Sequence, residues 1–188
     1  MRLRFAVAAL LLVGLALAAG CRAGGSRAPG PTAPPAPGAG EVREEPQAPA
    51  QKNRTVTVYF ADAQAMYLRP ARREVPADRP AAGIVLALLA GPTAEEKDLR
   101  PTFPPGTQLR GVTLAGGVAT VDFSADLQKN FGGGSAGELM LVYSLANSLA
   151  ELPGITAVRL TVEGRPLETL GHMDLTEPVA PRPDLVRR

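Results

Sequence analysis

From residue 55 onward the chain alternates between two hydrophobic rhythms. Thr55-Val56-Thr57-Val58-Tyr59-Phe60 has period two, with Val56, Val58 and Phe60 on one side, and predicts a half-buried strand. Tyr67 to Val75 predicts a second strand. Pro70 has no N–H to give a ladder, which places that strand at an edge or a bulge. The rhythm then turns helical. Ile84–Leu88 and Val85–Leu89 are four-residue pairs on one face, with Asp78 as the expected cap, Pro80 in the first turn and Gly91-Pro92 as the stop. Thr93-Ala94-Glu95-Glu96 has the spacing of a capping box on a further short helical turn.

Gln108–Leu114 and Val118–Phe123 flank Ala115-Gly116-Gly117 and predict a hairpin, with Ala119, Val121 and Phe123 alternating against Thr120 and Asp122. After Gly132-Gly133-Gly134, Ser135 and Glu138 have capping-box spacing. They open the longest helical stripe, Leu139, Val142, Leu145, Leu149 and Leu152, which Pro153-Gly154 ends. Ala157–Val162 predicts a strand with Val158, Leu160 and Val162 inward. Glu163-Gly164 then turns into a short return at Pro166-Leu167. Strand, strand, helix, hairpin, helix, strand predicts an α+β fold: a single domain with a mixed β-sheet packed by two main helices. The domain is expected over residues 54–181, long enough for one core, with residues 182–188 as a C-terminal tail.

Neither rhythm is present before residue 54. Arg2 and Arg4 precede an uncharged apolar run, Phe5 to Ala19, that ends Leu17-Ala18-Ala19-Gly20-Cys21. The run is short for a membrane span, which needs ~20 apolar residues. Small residues followed by a cysteine form the processing signal of bacterial lipoproteins. Residues 1–20 therefore read as a lipoprotein signal peptide and Cys21 as the lipidated residue. The competing reading is an ordinary secretory signal with an incidental cysteine. Cys21 is the only cysteine, however, so it has no internal disulfide to make. Residues 21–53 are rich in Pro, Ala and Gly, as in Pro29-Gly30-Pro31-Thr32-Ala33-Pro34-Pro35-Ala36-Pro37, and read as a disordered linker that holds the domain off the bilayer.

Charge narrows the classes further. The chain has 20 basic and 18 acidic residues, and loss of Arg2 and Arg4 with the signal leaves 18 against 18. A near-neutral mature chain without a block of like charge gives no footprint for nucleic acid. The expected partners are the membrane, through lipidated Cys21, and a cell-envelope protein or further copies of the chain.

Candidate chemistry is sparse. A Ser-His-Asp arrangement would need the only histidine, His172, with Ser124 and Asp122, and no nucleophile elbow surrounds them. Ser124 reads better as a turn former whose hydroxyl takes a backbone N–H, with Asp122 supporting the same turn. One histidine cannot make a zinc site, and Asp122, Ser124 and Asp126 lack the Gly and terminal Glu of a calcium loop. Gly132-Gly133-Gly134 fits neither glycine-rich nucleotide motif. Arg72 and Arg73 on a strand point to opposite faces and make no single patch. No catalytic, metal or cofactor residue is expected. For a ligand or partner surface, the residues to examine are Arg110, Asp122 and Arg159 on neighbouring strands.

The order of motifs is itself distinctive. Tyr59-Phe60, Arg72-Arg73-Glu74-Val75, Leu88-Leu89-Ala90-Gly91-Pro92 and Phe103-Pro104-Pro105-Gly106-Thr107 come first. Gly117-Val118-Ala119-Thr120-Val121-Asp122-Phe123-Ser124, Val162-Glu163-Gly164 and Leu170-Gly171-His172-Met173-Asp174-Leu175-Thr176-Glu177-Pro178 follow. From Val56 to Pro178 this resembles the GerMN domain of sporulation and spore-germination lipoproteins. The resemblance implies an extracytoplasmic, non-enzymatic domain on the outer face of the cell membrane, on the periplasmic side in a host with two membranes. Its topology is also similar to ring-building motifs that pack side by side. The expected function is a membrane-anchored interaction module, a scaffold in a cell-envelope or sporulation/germination assembly. The alternative is a lipoprotein that binds a small ligand, a germinant or a wall fragment.

Overall fold

A computed structural model describes residues 52–187. The expected signal peptide, Cys21 and the expected linker up to Gln51 lie outside the described residues. The elements in order are β1 (Asn53–Asp62), β2 (Leu68–Pro76), α1 (Pro80–Ala90), β3 (Leu99–Arg100), β4 (Leu109–Ala115), β5 (Val118–Phe123), α2 (Asp126–Lys129), α3 (Gly134–Ala150), β6 (Ala157–Val162) and β7 (Arg165–Pro166). A 3-10 turn at Pro183–Leu185 follows. None of these helices is long and apolar enough to cross a membrane.

The α+β class holds, with the strands divided between two sheets. β2-β1-β3 is antiparallel, and β4-β5-β6-β7 is mixed, with β5 and β6 parallel around α3. The expected period-two faces are buried: Val58, Phe60, Ala119, Val121, Phe123 and Val158 have no exposure. They join Ile84, Val85 and Leu88 of α1 and Leu141, Val142, Leu145 and Leu149 of α3 in one core. α3 is buried on more than one stripe, including Met140, Ser144, Asn147 and Ser148. That is the mark of a helix enclosed by other elements.

Two serines explain how α3 meets the first sheet. Ser148 Oγ accepts the Tyr59 N–H at 2.9 Å, and Ser144 Oγ donates to the Tyr59 carbonyl at 2.6 Å. One helical turn thus covers the edge of β1 as a strand would. Because the Tyr59 backbone points away from β2, its partner in register, Pro70, sits where no ladder N–H is required. The expected edge position of Pro70 is confirmed.

Several local expectations are corrected. Asp78 does not cap α1; Arg79 holds that position without a side-chain bond, and Pro80 starts the helix. Thr93–Glu96 is not a helical turn. The Glu96 carboxylate does accept the Thr93 N–H at 2.8 Å, but it is also drawn to the Arg73 guanidinium at 2.9 Å. Ser135 and Glu138 make no capping box, since α3 begins at Gly134 and its cap position, Gly133, has no side chain. The hairpin turn is two residues, with Ala115 paired to Val118 and positive φ at Gly116 (56°) and Gly117 (81°), a type I′ turn. Residues 182–187, within the expected tail, pack on the domain. Arg182 stacks on Tyr143, Arg187 stacks on Tyr67, and the Arg187 N–H donates to the Leu68 carbonyl at 2.8 Å.

Candidate functional site

The residues singled out on neighbouring strands are only partly brought together. Arg110 lies at the bulge of β4, where the register against β5 slips between Leu109 and Gly111. Its guanidinium meets Asp122 at 3.1 Å and Glu163 at 2.8 Å. Asp122 Oδ1 also accepts the Thr161 hydroxyl and the Gly164 N–H, both at 2.8 Å. Burial opposes ionisation of Asp122, but these donors and Arg110 outweigh it and lower its pKa. Asp122 thus secures the β6–β7 turn, where Glu163 itself has a positive φ, and not the turn after β5. Arg159 points elsewhere, donating to the Thr176 carbonyl at 3.1 Å. Arg110 and Asp122 form a structural ion cluster, and Arg159 is not part of it.

The serine and histidine readings separate in the same way. Ser124 Oγ accepts the Gln108 N–H at 3.1 Å and reaches Asp126 at 3.1 Å, the expected turn-forming role. His172 lies at Glu138, with its Nδ1 3.5 Å from a carboxylate oxygen. Among the described residues no group of three or more His, Cys, Asp or Glu is placed to hold a metal ion. Arg73 and Arg72 diverge as expected. Arg73 lies 5.1 Å over the Phe60 ring and pairs with Glu96, whose pKa is lowered chiefly by that guanidinium. Arg72 is exposed and has no anionic partner among the described residues.

Two further features come into view in the tertiary structure. Glu138 has no exposure, and its carboxylate accepts the N–H groups of Leu170 (2.9 Å), His172 (2.8 Å) and Met173 (3.2 Å). It fixes the segment after β7 onto α3. Its helical spacing from Leu141, Val142 and Leu145 already put a carboxylate on the apolar stripe, which was the available signal. The second feature is an open groove of about 870 Å³ on the first sheet, between α3 and the C-terminal segment. Thr57, Tyr59, Arg72, Asn147, Glu151 and Pro181 contribute to its lining. The Tyr59 hydroxyl donates to Glu151 at 2.6 Å there. These residues come from three distant parts of the chain, and no local pattern joins them.

Comparison with known proteins bears on what these features belong to. The domain is similar to the tandem GerMN domains of the sporulation protein GerM from Bacillus subtilis, with 18% identity and a TM-score of 0.57 over 69% of this chain and 46% of that one. This chain therefore spans about half the length of that tandem structure. The first GerMN domain of the same protein is matched at 21% identity and a TM-score of 0.54, over 68% of this chain and 97% of that one. A candidate lipoprotein from Clostridium perfringens is matched at 19% identity and a TM-score of 0.50, over 68% of this chain and 87% of that one. None of the curated proteins matches the chain. At these identities the structures speak for the fold alone. Residues 57–168, well over half of the chain, match the Germane family, described as sporulation and spore germination, and the chain belongs to that family.

Proposed function

We propose that this protein is a lipid-anchored, extracytoplasmic interaction module. In this reading Cys21 is acylated and residues 22–53 are a tether. The domain then serves as a non-enzymatic scaffold in a cell-envelope or sporulation/germination assembly. The observation that carries it is the order of parts: an apolar run ending in Ala-Gly-Cys21, a Pro/Ala/Gly-rich stretch, then a Germane-family domain. The domain's charged groups support the same reading, because Arg110, Asp122, Glu163, Arg73, Glu96 and Glu138 are all tied into internal contacts that hold the fold.

The test is co-purification from crosslinked membranes of the native cell. The expected outcome is a reproducible envelope protein or a multimer recovered with the full chain. Recovery of the chain as an uncrosslinked monomer at every crosslinker length sinks the reading.

The groove beside Tyr59 favours a second reading, binding of a small ligand such as a wall fragment. Its volume is within the usual range for ligand sites, and Arg72 and Asn147 add polar groups to it. Titration with soluble peptidoglycan fragments should then shift the amide resonances of Thr57, Tyr59 and Arg72. No shift at millimolar fragment removes this alternative.

A further inference from the structure

The sheet edges of the domain are protected unequally. β2 carries Arg69, Pro70, Arg72 and Glu74 along its edge, and Val186 bridges to Leu68 at one end. β7 has only two residues, one of them Pro166. On β1 the outer edge is taken by β3 at Ala61 and Asp62 and by α3 at Tyr59, leaving a polar stretch at Thr55 and Thr57. Prolines, charges, short strands and covering elements are the usual defences of an edge.

β4 is different. It runs seven residues, contains neither Pro nor Lys, and its only charge, Arg110, is occupied by Asp122 and Glu163. The type I′ turn makes Ala115–Val118 a hydrogen-bonded pair. Alternation then turns the N–H and C=O of Val112 and Leu114 outward, away from β5. Nothing pairs with them among the described residues. Beside this edge is an open groove of about 330 Å³, lined in part by Ala82, Gly83 and Leu86 of α1 and Leu109 and Val112 of β4. Leu86 and Leu114 are two of the three large exposed apolar side chains in the domain, at 54% and 56%.

These features fit one occupant, a second copy of the same strand. We propose that β4 is a self-association edge, in which two copies pair their β4 strands antiparallel about a two-fold axis at Thr113. Thr113 then faces Thr113 of the partner subunit as a non-hydrogen-bonded pair. Val112 exchanges both backbone bonds with Leu114 of the partner subunit, twice by symmetry. Register across β4 and β5 puts Val112 and Leu114 on the same face as the buried Val121 and Ala119, with Leu114 itself exposed at the strand's end. Each Leu114 side chain therefore arrives beside Val112 of the other copy, which lines that groove. No like charges oppose one another in this register, and the two four-stranded sheets become continuous.

The contact is small against the ~800 Å² per partner of a standard interface. It rests on the lipid-anchored reading, because confinement to a membrane supplies the effective concentration that such an edge lacks in solution.

The experiment uses the full chain in membranes with Thr113→Cys, whose Cα separation across the axis, ~4.5 Å, suits a disulfide. In the lipid-anchored reading Cys21 is acylated and offers no competing thiol. Mild oxidation is expected to give a reducible species of twice the chain mass, about ten-fold more than from Thr55→Cys, with its yield governed by proximity. Adding Leu114→Lys, a change at an exposed position, should remove it while the melting temperature stays unaltered. Equal yields from Thr113→Cys and Thr55→Cys overturn the proposal, as does a yield indifferent to Leu114→Lys. A crosslinked species of another mass overturns the second copy and leaves the interaction module standing. Wild-type chain in the soluble fraction instead overturns the anchor itself.

Discussion

The carboxylate of Glu138 is fully buried on α3 and is held by three backbone N–H groups, from Leu170, His172 and Met173. Charge-assisted bonds of this kind are the stronger sort, and removing the acceptor strands the donors. Glu138→Ala is expected to cost roughly 2–4 kcal/mol in chemical denaturation and to speed amide exchange at residues 170–173. Glu138→Gln keeps one acceptor oxygen and should cost less. Amide protection unchanged in Glu138→Ala contradicts the anchoring role.

Asp122 and Glu96 set an acid limit. Both have folded pKa values below their ordinary values of 3.8 and 4.5. For Asp122 burial opposes the shift and the Gly164, Thr161 and Arg110 donors exceed it; for Glu96 the Arg73 bond leads. A depressed carboxylate pKa contributes stability that is complete above the unfolded value and lost as pH falls through the folded one. Melting temperature should therefore be flat on this account above about pH 5 and decline below it. Asp122→Asn with Glu96→Gln should flatten that decline, and an unchanged acid slope in the double variant rules the two groups out as its source.

Packing between α1 and β2 sets the sign of a change at Gly83. A Cβ built there would lie 2.6 Å from Val75 Cβ, so the glycine permits a close approach of α1 to β2. Helix propensity alone favours alanine by about 1 kcal/mol. Overpacking against a buried β-branched residue costs ~1–3 kcal/mol. Gly83→Ala is thus expected to lower stability, and a net gain in urea denaturation shows that α1 shifts freely. The same scale explains which boundaries the sequence conveyed. The stop at Gly91 was legible because its φ of 80° favours glycine. The starts at Asp78 and Ser135 were misread because a capping residue type is only an opportunity. Pro80 began α1 two residues after Asp78, and Gly134 began α3 before Ser135. Glu138 was misread for a related reason: its spacing from Ser135 fits a cap, and its spacing from Val142 fits the core.

Across the whole molecule, anchoring and folding are separable in the proposed arrangement. Cys21→Ser should move the protein from the membrane to the soluble fraction with an unchanged thermal melt, read by fractionation and circular dichroism. A diacylglycerol supplies the two chains that stable anchoring takes. Retention of Cys21→Ser at the membrane shows that another contact holds it.

What the sequence by itself determined is what local chemistry enforces. Most of the strands, the two main helices and their inward faces follow from periodicity and from Gly and Pro at the turns, while the order of motifs carries the family resemblance. Partition of the strands into two sheets was decided in three dimensions, where Ser144 and Ser148 of α3 satisfy the Tyr59 backbone and leave β1 no further strand to accept there. The groove at Tyr59 and the docking of residues 170–173 on Glu138 belong to the same level. Each depends on residues far apart in the chain, whose juxtaposition no local pattern encodes.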